Sequence, residues 1–117
     1  MISQKPYLIK AIYDWCIDNK FTPYIAAVAD EKTKVPKQYI QNQQIILDIS
    51  KNSSKDLIID THWITFYAIF NGLEQHLSIP ISNIIAIFAK ENGQGMQFNV
   101  DISTVKNEPN NNLKLVK

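Results

Sequence analysis

Residues 63–79 restrict the fold of this chain more than any other segment. Residues 63–70 and 73–79 each alternate between two faces, as strands with one buried face do. Between them stands Asn71-Gly72, the dipeptide that best accepts the two positive φ angles of a tight hairpin turn. We therefore predict an antiparallel hairpin, which Pro80 ends.

A second hairpin is predicted at residues 84–100. Residues 84–89 are apolar and rich in β-branched and aromatic types, which is typical of an inner strand. The polar segment 91–95 follows and contains Gly93 and Gly95, which can both take positive φ at no steric cost. Alternation resumes at residues 96–100 with Met96 and Phe98 on one face, so we expect the chain to turn back and pair with the inner strand.

The N-terminal segment is predicted to form a helix that opens at Lys5-Pro6-Tyr7 and stops at Asp18-Asn19-Lys20. Ser3 is a candidate cap, and Pro6 falls in the first turn, where its missing N–H costs nothing. One apolar stripe, which we expect to face the core, consists of Leu8, Ile12, Trp15 and Cys16. A second apolar stripe, beside the first, consists of Ile9, Tyr13 and Ile17. The two stripes together are wider than the surface that one sheet can cover, so we predict that the second stripe forms a homodimer interface.

The remaining apolar segments predict further strands at residues 24–29, 45–49 and 57–59, and a brief turn at residues 81–83. A chain of 117 residues with 45% apolar content is long enough for one domain with its own core. Together the elements predict an α+β fold that is mostly β, with one N-terminal helix followed by antiparallel strands.

The composition changes after residue 98. Residues 99–112 are rich in asparagine and contain no aromatic side chain, so they offer little to offset the entropy of ordering. We predict a folded domain at residues 1–100, a flexible linker at 101–112 and a terminal segment at 113–117. The terminal segment is apolar and basic and follows a solvated spacer; it consists of Leu113, Lys114, Leu115, Val116 and Lys117. A docking peptide has this form, and a frayed chain end can have the same composition.

Residues that carry catalytic or metal chemistry are sparse. His62 and His76 stand far apart, and Cys16 is the single cysteine, so no metal-ligand spacing occurs and no metal or other cofactor is expected. Neither a phosphate-binding glycine loop nor a nucleophile turn is present, which predicts that the protein is not an enzyme. The absence of an apolar leader or an 18-residue apolar run predicts a cytoplasmic protein without a membrane segment.

The sequence resembles the stringent starvation protein B family across residues 4–98. The similarity is carried by KPYLIKAIYDWCIDNKFTPYI, VPKQYIQNQQIILDIS, FYAIFNG and IPISNIIAIFAKENGQGMQF, and the terminal LKLVK resembles the family's ClpX-docking tail. The resemblance implies two small antiparallel sheets in a partly open, Sm-like or SH3-like barrel that dimerises through its helix. It also implies an adaptor that binds the ssrA degradation tag and delivers tagged proteins to the ClpXP protease through the ClpX N-terminal domain.

The resemblance also implies which residues contact the tag. Those that correspond to the family groove are Ser53, Tyr67, Ala68, Phe70, Phe88, Lys90, Asn92 and Gln94. Ile69 stands where the family has an arginine, which removes a bidentate partner for an acidic tag residue, while Lys90 can supply a point charge instead.

Two other functions are compatible with these elements. A small barrel of this type can bind single-stranded nucleic acid by aromatic stacking, for which Trp63, Phe66 and Tyr67 are the candidates. The net charge of +1 argues against that function, because phosphate binding relies on basic surfaces. The third alternative is a structural dimer whose tail has no role.

Overall fold

The computed structural model describes residues 2–100, and the linker and docking segment predicted at residues 101–117 lie outside them. The described chain forms one α-helix, seven strands and two short 3-10 turns. Their order is α1 (Lys5–Asp18), β1 (Pro23–Val28), a 3-10 turn (Lys37–Tyr39), β2 (Gln44–Asp48), β3 (Lys55–Ile59), β4 (Trp63–Phe70), β5 (Leu73–Pro80), a second 3-10 turn (Ile81–Asn83), β6 (Ile84–Ala89) and β7 (Gly95–Gln97).

The strands form two antiparallel sheets. One sheet has four strands in the order β2-β1-β6-β7, and the other has three in the order β3-β4-β5. Helix α1 lies against β1, β6 and β7 of the four-stranded sheet. This confirms the predicted α+β fold with one N-terminal helix and two small antiparallel sheets, in an arrangement consistent with a small, partly open barrel.

The core lies between the apolar faces of the two sheets. Each central strand alternates buried with less buried residues, so that one face of the strand packs inward. The fully buried side chains from the four-stranded sheet include Ile25, Ile45 and Ile87, and those from the three-stranded sheet include Phe66 and Leu77. Sheet-on-sheet packing of this kind leaves the opposite, outward face of each sheet exposed to solvent or to a partner.

The β4–β5 hairpin agrees with its prediction. The two strands pair without a register shift from Trp63↔Pro80 to Phe70↔Leu73. Asn71 and Gly72 have φ angles of 53° and 79°, the two positive values of a type I′ turn. The inner-strand prediction at residues 84–89 is also confirmed, because β6 pairs with β1 on one side and with β7 on the other.

The helix packs partly as predicted, with Cys16 fully buried and Ile12 against the core, but it also buries a residue of the second stripe. Ile9 is 0% exposed and belongs to the core, so the prediction that its side chain contacts a partner subunit is wrong. The physical reason is that the two apolar stripes are adjacent on the helix, and the face that packs on the sheet is the one that carries Ile9 and Cys16. Tyr13 is half-buried against the same core and Ile17 is half-buried.

Within residues 2–100, the structure has no helix with the length and hydropathy needed to cross a bilayer.

Candidate functional site

Strand β4 presents its candidate residues on two different faces. Tyr67 points outward and is 36% exposed, whereas Ala68 and Phe70 are half-buried and pack against the core. This division follows from the two-residue period of a strand, in which neighbours always point to opposite sides. The three side chains therefore do not share one surface, although the resemblance groups them in one groove.

On the outward face, Tyr67 is the centre of a row across the three-stranded sheet. It is paired with Lys55 on β3 and with His76 on β5. The rings of Tyr67 and His76 are 4.6 Å apart between centroids and tilted by 44°. Ile69, two residues further along, is 69% exposed and faces Glu74 across the strands, so the position where the family has an arginine is an open, apolar one.

A similar row crosses the four-stranded sheet. Asp48, Tyr24 and Phe88 are paired in register on β2, β1 and β6. Tyr24 and Phe88 are in edge-to-face contact with centroids 5.9 Å apart, an arrangement that stabilises aromatic pairs. All three side chains are half-buried, so they are partly accessible from outside.

The loop at residues 50–54 joins the two rows. Ser53 Oγ donates a hydrogen bond to Asp48 Oδ2 at 2.9 Å, and the Ser50 N–H donates to Asp48 Oδ1 at 2.8 Å. The chain then enters β3 at Lys55, next to Tyr67. We name the outward side chains of the two rows and of the loop that connects them along the chain the aromatic belt; it comprises His76, Tyr67, Lys55, Ser53, Asp48, Tyr24 and Phe88.

The turn after β6 carries the other candidate residues. The Ala89 N–H donates to the Gln94 carbonyl oxygen at 2.8 Å, and the Gly93 N–H donates to the Ala89 carbonyl oxygen at 2.7 Å. Asn92 Oδ1 accepts a hydrogen bond from the Gln94 N–H at 2.9 Å, so this oxygen already shapes the turn. The side chains of Lys90 and Gln94 are exposed.

Thr22, just before β1, binds this turn through three hydrogen bonds. Glu91 Oε1 accepts from the Thr22 N–H at 2.8 Å and Oε2 accepts from Thr22 Oγ1 at 2.7 Å. The Lys90 N–H donates to the Thr22 carbonyl oxygen at 2.8 Å. No local sequence pattern predicts this contact, because the two residues are 69 positions apart and meet only through the β1–β6 pairing.

These donors lower the pKa of Glu91 below its ordinary value of 4.5, mainly through the Thr22 N–H and then the hydroxyl. The stabilisation they provide is present above pH 4.5 and is lost as the pH falls through the lower folded pKa. Cys16 lies nearby, and burial first and the Glu91 charge second raise the pKa of its thiol. The carboxylate is therefore ionised, and the thiol is protonated, at neutral pH.

Ala68 and Phe70 contribute to a separate, inner cluster at the end of the β4–β5 hairpin. Phe70 contacts Tyr39 with centroids 5.3 Å apart, and Leu73 beside it is largely exposed. The aromatic belt and this cluster lie on opposite faces of the three-stranded sheet.

Of the three aromatic residues that could stack on nucleic-acid bases, one is not accessible. Phe66 is 1% exposed and packs in the core, so it cannot stack on a base. Trp63 and Tyr67 both face outward on β4 and remain accessible. Among residues 2–100, no three His, Cys, Asp or Glu side chains are grouped so that they could hold a metal ion.

Two open clefts in the described part of the chain lie away from the aromatic belt. One, of about 1020 Å³, is bounded by Lys5, Asp30 and Asn83, and the other, of about 530 Å³, lies between Tyr7 and Trp63. The belt residues lie on exposed sheet surfaces and not in a cleft, which suits an extended chain better than a compact small molecule.

Comparison with known proteins assigns the family. The sequence model described as "SspB: Stringent starvation protein B" matches residues 3–115. The chain belongs to the stringent starvation protein B family. A curated relative, the "Stringent starvation protein B homolog" of Haemophilus influenzae (strain ATCC 51907 / DSM 11121 / KW20 / Rd), is 40% identical over 96 residues. That alignment covers 81% of this chain and 64% of the relative, so the chain matches somewhat less than two thirds of the relative's length.

Proposed function

We propose that the protein is a non-enzymatic adaptor that binds the ssrA degradation tag of stalled-translation products and delivers them to the ClpXP protease. The observation that carries the proposal is the family match, which extends over residues 3–115 and so includes most of the tail as well as the folded domain. Membership of the stringent starvation protein B family supports the adaptor role, and the surface of the domain supports peptide binding.

The aromatic belt has the features that an extended peptide requires. Tyr67, Tyr24 and Phe88 offer apolar faces, while Ser53 and Asp48 offer polar groups between them. Neighbouring strands are about 4.8 Å apart and an extended peptide advances about 3.3 Å per residue, so a few tag residues suffice to cross each sheet. Side chains of alternate tag residues would then meet the aromatic groups.

Two exposed lysines, one in the belt and one in the turn after β6, favour a tag with acidic residues. Lys55 and Lys90 are both exposed, and Lys55 is paired directly with Tyr67. A lysine is a single, strongly hydrated charge, so it contributes less geometric selectivity than an arginine at position 69 would. We therefore expect the affinity for the tag to depend on its acidic residues and to decrease with salt.

Calorimetric titration with an ssrA peptide tests this proposal. We expect one binding site per chain, and weaker binding by the same peptide with its acidic residues replaced. Tyr67→Ala should weaken binding about tenfold, as loss of a central aromatic contact does. Tyr7→Ala serves as the matched control, because Tyr7 is an exposed tyrosine on α1 and lies outside the belt.

Two results would contradict the proposal at different levels. An absence of binding by the unaltered protein would reject the adaptor function. Binding that is insensitive to Tyr67→Ala but is weakened by Phe70→Ala would reject the aromatic belt in favour of the inner cluster on the other face of the sheet.

The proposed assembly is a homodimer that forms through the surface of α1 around Ile17. With Ile9 in the core, Tyr13 and Ile17 are the predicted interface residues that keep some exposure. Ile17→Glu should convert the dimer into a monomer in light scattering, because a buried, unpaired carboxylate opposes association. Ala11→Glu, on an exposed position elsewhere on the helix, should leave the dimer intact. A dimer that persists in Ile17→Glu would exclude this interface.

A further inference from the structure

The backbone of Lys90 is held on both sides. On one side its N–H donates to the Thr22 carbonyl oxygen, and the neighbouring pair Pro23↔Ala89 continues the β1–β6 ladder. On the other side, the bond between the Ala89 N–H and the Gln94 carbonyl oxygen closes the turn. The exposed ammonium group of Lys90 therefore extends from a backbone that is fixed before any ligand arrives.

Glu91 completes this arrangement by binding Thr22 with both carboxylate oxygens, at 2.8 and 2.7 Å. Charge-assisted hydrogen bonds of this length are stronger than neutral ones, and two of them fix the orientation of the carboxylate. They add two side-chain bonds to the backbone bond that already joins the α1–β1 connection to the β6–β7 turn. Glu91 thus limits the motion of the segment that carries Lys90.

We propose that Glu91 and Thr22 are positioning residues that hold Lys90 in place for an acidic group of the bound peptide. This inference rests on the proposed function, since it names the partner of one residue in that site. A fixed backbone at Lys90 restricts the region that its ammonium group can reach, so less entropy is lost when the bound peptide orders the side chain. The two Thr22 donors also engage the negative charge of Glu91, which would otherwise compete with the peptide for Lys90.

A double-mutant cycle between Lys90 and Glu91 tests the inference, with the dissociation constant of a labelled ssrA peptide measured by fluorescence anisotropy. Lys90→Ala should weaken binding about tenfold in the unaltered protein and less than about twofold in the Glu91→Ala background. Glu91→Ala alone should weaken binding about five- to tenfold, and Thr22→Val should act in the same direction.

Glu91→Gln is the conservative variant. Its amide oxygen can accept from the Thr22 N–H, and its NH₂ group can donate to Thr22 Oγ1, so we expect affinity within about twofold of the unaltered protein. Glu31→Ala, at an exposed acidic position in another loop, is the control and should have no effect. Urea midpoints measured for each variant separate loss of positioning from loss of folding.

The outcomes distinguish the inference from the proposed function. An equal fold-loss from Lys90→Ala in both backgrounds, with the unaltered protein binding the peptide, would overturn the inference alone. No peptide binding by the unaltered protein would overturn both.

Discussion

Replacing Gly95 with alanine is expected to lower the free energy of unfolding by about 2–3 kcal/mol, the cost of a steric overlap with the backbone of the neighbouring strand. Gly95 begins β7 and pairs with Phe88. A Cβ atom at this position would overlap the Ile87 carbonyl oxygen and lie 2.6 Å from Phe88 Cα. Both are backbone atoms of β6, so relief requires β7 to move away and to lose its hydrogen bonds.

Urea denaturation measures this effect, and Gly93→Ala is the matched control. Gly93 has a φ of +74°, and no atom lies within 4 Å of a Cβ added there. Gly93→Ala should therefore lower the free energy of unfolding only through backbone strain, by about 1 kcal/mol. Hydrogen exchange should show faster exchange of the β7 amides in Gly95→Ala. If the two variants were equally stable, the close approach of β7 to β6 would not be a determinant of stability.

If the protein is the proposed adaptor, deletion of residues 113–117 is expected to abolish its stimulation of degradation by ClpXP and to leave its affinity for the tag unchanged. A tether turns the encounter between tagged protein and protease into an intramolecular event, which raises apparent affinity by about 10² to 10⁴ without a new contact to the tag. Without the docking segment this gain disappears. The measurement is the degradation rate of an ssrA-tagged protein at a concentration well below its KM for ClpXP alone.

The matched control keeps the segment and changes its spacing. The predicted linker has about twelve residues, with a root-mean-square span of about 20 Å and an extended limit of about 40 Å. Insertion of four Gly-Ser pairs before Leu113 should preserve most of the stimulation, because effective concentration falls slowly with linker length. Loss of both tag affinity and stimulation on deletion would contradict the separation of binding and docking.

Most of the fold could be predicted because its signals are local. Strand β4 and the inner strand β6 have the bounds that their residue patterns predict, and the Asn71-Gly72 turn follows from the φ preferences of two residues. The last strand was less well predicted: β7 spans Gly95–Gln97, whereas the alternation suggests residues 96–100. Gly95 was expected to supply a positive φ, but what the position requires is space next to β6.

The candidate site could be predicted only in part. The alternation along β4 already implies that Tyr67 and Ala68 face opposite sides of the sheet. A family resemblance, however, assigns site residues by their position in the sequence and does not state which face of the sheet each one occupies. The Thr22–Glu91 contact depends on how β1 pairs with β6, and no pattern within either segment contains that register. For the helix, the width of the apolar arc was visible in the sequence, but the direction that Ile9 faces depends on the sheet beneath it.

The buried position of Ile9 also determines what kind of assembly α1 can build. Ile9 and Cys16 are separated by seven positions, or two helical turns, and are both completely buried, so the helix is attached along its length. Such a helix cannot swing as an arm relative to the sheets without exposing core. If two copies associate through it as proposed, they would keep one mutual angle, and the two peptides bound to them would be held in fixed directions.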